Sequence, residues 1–302
     1  MSNANEESGV LAGLSNDLAN AVERAGAATV KVNARRRQAA SGIVWSAGTI
    51  VTTDHVIERE EEITIGLPDG SEIPATLAAR DPGTDLAVLK ASTSLAAIER
   101  GPLPGVGSLV LAVARPDDGG PQATLGVVSA IAGPARTWRG GQLGRFVRSD
   151  AILYPGFSGG PLVDAFGRAI GINSSHLARG SGISIPVDVA ATVVEALLSH
   201  GRVRRGYLGI SSQPVALPAP AAQQAGGQSS GLLVLRVEPN AAAERGGLIV
   251  GDILIALGGE PVRDVDDLQR LLGGDVVGKT LPLRVLRGGE PRELSVQVGE
   301  RA

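Results

Sequence analysis

Apolar residues fall at Val10, Leu11, Leu14, Leu18, Ala21 and Val22, the spacing of one helical face. This pattern predicts an N-terminal helix within an extension over residues 1–26, which is a candidate partner-binding segment. From residue 27 the period shortens, and apolar and β-branched runs alternate with turn residues. The runs lie at 29–32, 41–45, 48–53, 63–65, 72–73, 75–77 and 86–89. Short strands separated by turn signals predict an antiparallel barrel or sandwich. A Pro/Gly-containing connection over 95–107 leads to a second series at 109–113, 123–131, 145–148, 161–163, 169–172 and 182–185. Within that series the polar, glycine-rich loop 133–144 is expected to be mobile, and 187–199 returns to helical spacing.

After the basic connector 202–205 a third unit begins, starting at Tyr207-Leu208-Gly209-Ile210. A Pro/Ala/Gln/Ser stretch over 213–230 reads as a long loop. Strands follow at 232–237, 252–257, 281–286 and 292–298, with helices at 241–245 and 264–272. Strands with two helices in so short a length predict a compact α+β module. The expected division is therefore an extension to 26, a β domain over 27–201 and a small domain over 202–302.

Composition narrows the reading. Hydrophobic residues make up 43% of the 302 and aromatics 2%, so the cores must be aliphatic. A net charge of −3, with basic runs that lack interleaved aromatics, argues against nucleic acid as a partner. With no cysteine there is no disulfide, thiolate metal site or cysteine nucleophile. No apolar run is long enough to span a bilayer. The acidic start does not read as a signal peptide, which implies a cytoplasmic protein as written, or an extracytoplasmic one if the start has been trimmed.

Candidate chemistry centres on Ser158, with Gly156 before it and Gly159 and Gly160 after. A serine hydroxyl needs a base to take its proton and donors to receive the developing oxyanion. Glycine lets main-chain amides turn inward, which suits Gly156 and Ser158. A glycine-rich turn between strands is the plainer alternative. Three histidines compete for the base. His200 closes a helix beside the basic connector, His176 lies in a polar loop and reads as surface, and His55 ends a strand. His55 is favoured without excluding His176. Asp85, at the head of an apolar strand, is a candidate orienting acid, its plain alternative being a turn cap. The Gly-x-Ser-x-Gly spacing also fits a nucleophile elbow, but that requires a following helix, and here strand, turn and strand follow.

The segments 49–55 (TIVTTDH), 84–90 (TDLAVLK) and 156–163 (GFSGGPLV), with 171–173 and 182–186, resemble the HtrA (Deg) serine proteases of the chymotrypsin-like class. Tyr207–Ile210 and 251–255 resemble their PDZ domain. The resemblance implies a mainly β chain: a chymotrypsin-like double β-barrel, with the active site in its cleft, followed by a small α+β PDZ domain. It assigns Ser158 as nucleophile, His55 as base and Asp85 as orienting acid, with the amides of Gly156, Phe157 and Ser158 as oxyanion hole. Ile152, six residues before the serine, takes the place of a specificity residue and suits small aliphatic side chains.

By the same resemblance the amides of Leu208, Gly209 and Ile210, beside Tyr207, would take a peptide carboxylate. No cofactor or metal is implied. The expected activity is ATP-independent cleavage of unfolded or misfolded polypeptides in protein quality control. A chaperone or peptide-binding scaffold with a resting site, and a hydrolase of small esters, are the alternatives. Phe157 stands where relatives carry asparagine, and it excludes activation through an aspartate salt bridge to a new N-terminus. The long regulatory loop of some relatives is absent between Arg37 and Ser41. A homotrimer is the expected assembly, although the aromatics that help relatives form trimers are not evident near the N-terminus.

Overall fold

β-Branched and aliphatic residues on alternate positions of short strands can be buried only if the sheet closes on itself, and here it does so twice. The computed structural model describes residues 9–133, 135–136, 142–177 and 182–300. These form two compact units that divide between Arg202 and Val203.

In the first unit, strands Thr29–Asn33, Ala40–Ser46, Thr49–Thr52, Ile63–Gly66, Glu72–Asp81 and Leu86–Ala91 close one antiparallel barrel. Val30, Ile43, Ile50, Ile65 and Leu89 fill it with no exposed surface. Such side chains each contribute about 1.5–3 kcal/mol on burial. The runs expected as separate strands at 72–73 and 75–77 are one strand, which continues through Pro74 to Asp81. Leu109–Ala114, Gln122–Ala132, Phe146–Ser149, Pro161–Asp164, Ala169–Ser174 and Ile183–Pro186 close the second barrel.

The 95–107 connection carries no strand, yet it is held in place. Ile98 N–H donates to Val44 O of the first barrel, while Gly101 N–H donates to Ala169 O of the second. Within the 133–144 loop, residues 134 and 137–141 lie outside the described residues, and so does the mobility expected there.

The N-terminal helix Val10–Gly26 is not a free extension. Leu18, Ala21, Val22 and Ala25 pack on Leu111, Val113 and Val163 of the second barrel. Arg115 ties its end down: the guanidinium donates to Gly26 O at 3.0 Å and to Thr29 O at 2.8 Å, and burial holds its pKa below the ordinary value. Helix Val187–His200 follows the second barrel and ends at Gly201 with φ of +70°, a left-handed cap that favours glycine.

The second unit is a sheet in the order Ile210–Ala216, Ser230–Val237, Ile253–Leu257, Thr280–Arg287, Glu290–Gln297. The stretch read as a long loop over 213–230 instead contains most of the first of these strands and a helix, Ala219–Gln224. Proline and small polar residues hid both, because Leu217 and Ala225 are buried against Ile255 and Leu286, distant in sequence. Among the described residues the unit therefore has three α-helices, with Ala242–Arg245 and Val265–Leu271. Asp264 caps the last by accepting Asp267 N–H at 2.8 Å.

If the N-terminal helix is part of the first unit, Ala21→Leu should overpack its seam against Leu111 and Val163. The expected loss is about 1–3 kcal/mol, read from urea unfolding of the full chain. A helix standing clear of the fold would leave the midpoint unchanged.

Candidate active site

Strand Thr49–Thr52 ends in a single 3-10 turn, Asp54–Val56, which carries His55. That turn is pinned from both sides. Asp54 N–H donates to Asp85 O at 3.1 Å, and the buried Asp54 carboxylate takes the Arg80 Nε at 2.5 Å. Asp85 closes a turn in which Asp81 Oδ2 accepts both Thr84 N–H and Thr84 Oγ1. Its φ of +60° is left-handed, a region that Asp tolerates better than most residues.

The Asp85 carboxylate is 3% exposed at residue level and fully engaged. It accepts His55 N–H at 3.0 Å, His55 Nδ1 at 2.9 and 3.0 Å, and Ser174 Oγ at 2.6 Å. A carboxylate only accepts, so Nδ1 carries the ring proton and Nε2 is left as the acceptor. His55 and Asp85, thirty positions apart, are thus brought into direct contact.

Ser158 lies on the loop 154–160, and glycine is what lets that loop fit. Gly156 and Gly159 have φ of +91° and +86°. A Cβ on Gly159 would stand 2.0 Å from Ser41 O, and one on Gly160 2.2 Å from Val113 O. Strand Ala40–Ser46 then fastens the loop. Ser41 N–H donates to Ser158 O at 3.1 Å, and Ser41 Oγ donates to Gly156 O at 2.7 Å while accepting Arg115 N–H at 2.8 Å. From the other side Gly159 N–H donates to Asn173 O at 2.9 Å.

Among the described residues the N–H groups of Gly156 and Ser158 have no partner, as a hole for an oxyanion requires. Phe157 departs from the expectation, because its N–H is committed to Tyr154 O at 3.0 Å. Its ring explains why it tolerates so tight a loop. At 1% exposure it fills the second barrel's core beside Val110 and Leu162, with Tyr154 edge-on at 5.9 Å.

The third member is not joined to the other two. Ser158 Oγ pairs with Ser175 Oγ at 2.9 Å and accepts Ser175 N–H at 3.2 Å, and no hydrogen bond links it to His55 among the described residues. His176, expected at the surface, is exposed but stacks on His55 with ring centroids 5.0 Å apart. His200 ends helix Val187–His200, as expected of a helix-closing residue. Ile152 is 58% exposed, with its carbonyl accepting Thr124 Oγ1. The side chain next to Gly182 is that of Leu153, which a Cβ there would meet at 2.9 Å.

Sequence reasoning missed Ser41, Ser174 and Ser175. Only the polar run 173–176 at the end of an apolar strand marks the last two, and nothing local marks Ser41. No group of three or more His, Asp or Glu among the described residues could hold a metal ion.

In the second unit, Tyr207–Ile210 bridges strand Gly206–Tyr207 and the sheet's edge strand Ile210–Ala216, which runs beside helix Val265–Leu271. Gly209 has φ of +78°, and its missing Cβ leaves room for Ala241. Leu208 O and Gly209 O accept Ala243 and Glu238 N–H at 2.8 Å, while Leu208 and Gly209 N–H are unpaired among the described residues. Tyr207 Oη donates to Glu238 at 2.7 Å.

Residues 40–172 match the family described as Trypsin-like peptidase domain, and 206–298 match PDZ domain. A probable periplasmic serine endoprotease, DegP-like, from Halomonas elongata is 37% identical over 88% of this chain and 57% of its own. A relative of the same description from Pseudomonas putida is 36% identical over 85% and 55%. The chain thus spans little more than half the length of these curated relatives.

Among solved structures, a serine endoprotease from Yersinia pestis aligns with a TM-score of 0.78 at 33% identity, covering 94% of this chain and 98% of that one. The HtrA-type protease AlgW with a tripeptide aligns at 0.79 and 33%, covering 94% and 97%.

Ser41→Ala should strand the Gly156 carbonyl and the Arg115 N–H in a buried place. At about 1–3 kcal/mol for each unsatisfied group, the two predict a loss of about 2–6 kcal/mol, measured by urea unfolding of the full chain.

Proposed function

Since the chain belongs to the HtrA/Deg family of trypsin-like serine proteases carrying one PDZ domain, we propose that it is a serine endopeptidase that cleaves unfolded or misfolded polypeptides without ATP. The observation that carries this reading is the Asp85–His55 pair, with Nε2 left as the acceptor, beside a serine whose loop keeps two amides free. Ser158 Oγ attacks the peptide carbonyl carbon as His55 Nε2 takes its proton. The tetrahedral oxyanion lies against the N–H groups of Gly156 and Ser158, each worth about a hundred- to a thousandfold in rate. His55 then protonates the leaving amine, and water repeats the sequence on the acyl-enzyme, with Asp85 holding the imidazole throughout. The exposed Ile152 and its neighbour Leu153 favour small aliphatic side chains at the cleavage site.

A polypeptide C-terminus would add as a strand to the open edge Ile210–Ala216, its carboxylate on the free amides of Leu208 and Gly209 and on Ile210 beside Tyr207. Relatives are named periplasmic, and no described helix is long and apolar enough to cross a membrane. We therefore favour a place outside the cytoplasm over the cytoplasmic one the first residues suggest. A homotrimer remains our expected assembly, with Val10, Leu11 and Leu14 exposing apolar surface at the start of the N-terminal helix.

One observation favours the second reading, a chaperone or peptide scaffold: Ser158 is hydrogen-bonded to Ser175, away from His55. Casein digestion separates the two. Wild type should degrade casein and Ser158→Ala should not. Equal digestion by both removes Ser158 as nucleophile, and none by either favours the scaffold. A peptide with a free C-terminus should bind about ten- to a hundredfold tighter than its C-terminal amide, by calorimetry on the full chain.

A further inference from the structure

Three consecutive residues, Ser174, Ser175 and His176, each touch a different member of the triad. Ser174 Oγ donates to Asp85 Oδ2 at 2.6 Å. Ser175 reaches Ser158 Oγ with both its hydroxyl, at 2.9 Å, and its N–H, at 3.2 Å. His176 lays its ring over His55 at 5.0 Å with 19° between the planes, and its N–H returns to Ser174 Oγ at 3.2 Å. Ser174 is fixed at the end of strand Ala169–Ser174, so the two residues after it are delivered to the site by the barrel.

The chemistry of these contacts differs. A hydroxyl has one proton and two lone pairs. Ser175 N–H takes one lone pair of the Ser158 oxygen, and in the arrangement in which Ser158 donates to Ser175 Oγ its single proton is turned away from Nε2 as well. Ser175 therefore competes with His55 for Ser158. His55 is gripped along one ring edge only, through Nδ1 and Asp85, a bond that leaves the ring free to tilt about it. A second flat ring stacked on its face opposes that tilt.

Resting on the triad reading above, we propose that Ser175 and His176 are the positioning residues of the two movable members: Ser175 parks the Ser158 hydroxyl away from the base, and His176 holds the imidazole plane ready to receive its proton. His176 acts only through the His55 ring, and Ser175 touches the Ser158 hydroxyl only in the resting arrangement. Activation then consists of a hydroxyl rotating from Ser175 to His55, with no rebuilding of the His55–Asp85 pair.

The test is the rate at which a fluorophosphonate labels Ser158 in the full chain, with kcat and KM for a casein-derived peptide alongside. Ser175→Ala removes the competing hydroxyl but keeps the N–H, and labelling should rise roughly three- to tenfold, as loss of one neutral hydrogen bond predicts. His176→Ala should lower labelling and kcat by roughly three- to tenfold with KM unchanged, and His176→Phe, which restores a flat ring, should recover most of the loss. Labelling of Ser175→Ala no faster than wild type, or His176→Phe no better than His176→Ala, overturns the proposal while the triad stands. Wild type unlabelled at Ser158 removes the triad reading, and this proposal with it.

Discussion

The first barrel's strand Ala40–Ser46 and the loop bearing Ser158 approach so closely that a single methyl group on Gly159 would overlap the Ser41 carbonyl. That contact sets the geometry of the rest. It allows Ser41 to hold both Gly156 O and Ser158 O, which turns the amides of Gly156 and Ser158 away from the protein's own acceptors. Unpaired amides beside a buried serine cost free energy, and the double anchor on Ser41 offsets it. The free donors are what a developing oxyanion requires.

Arg115 extends this constraint outward. Its N–H supports Ser41 Oγ, and its guanidinium holds the last carbonyl of the N-terminal helix. The helix is therefore connected to the loop bearing Ser158 through two residues, Arg115 and Ser41, and three hydrogen bonds. A segment whose sequence suggests an appendage takes part in the packing beneath the site through its last turns, where Ala21, Ala25 and Gly26 are buried, while Val10, Leu11 and Leu14 at its start are exposed.

The two halves of the triad obey different rules. Asp85 and the backbone of His55 are fixed by turn geometry, through a 3-10 turn, a left-handed Asp and a partly buried Arg80–Asp54 pair, while the His55 ring is held at one edge by Asp85 and on its face by His176. Ser158 is free to choose between two acceptors, because a hydroxyl rotates about one bond. A site built this way sets a pair fixed by its turns beside a serine hydroxyl that can rotate.

The sequence by itself determined most of the strands and the helices over 187–199 and 264–272, because alternation and helical spacing are local properties, while closure into a barrel rather than a sandwich came only with the family resemblance. It also offered Ser158, His55 and Asp85 as candidates, since glycine around a serine and a histidine at a strand end are visible in short windows, but it did not exclude His176 and left the acid open until the family resemblance chose among them. The packing of the N-terminal helix, strand Ile210–Ala216 with helix Ala219–Gln224, and the parts played by Ser41, Ser175 and His176 were decided by the tertiary structure alone. Their partners lie far away in the chain or across a barrel, as Ser41 from Gly156 and His176 from His55. A hydrogen bond or ring stack between distant segments leaves no period in the sequence. Only the closing of the barrels brings such groups within reach of one another.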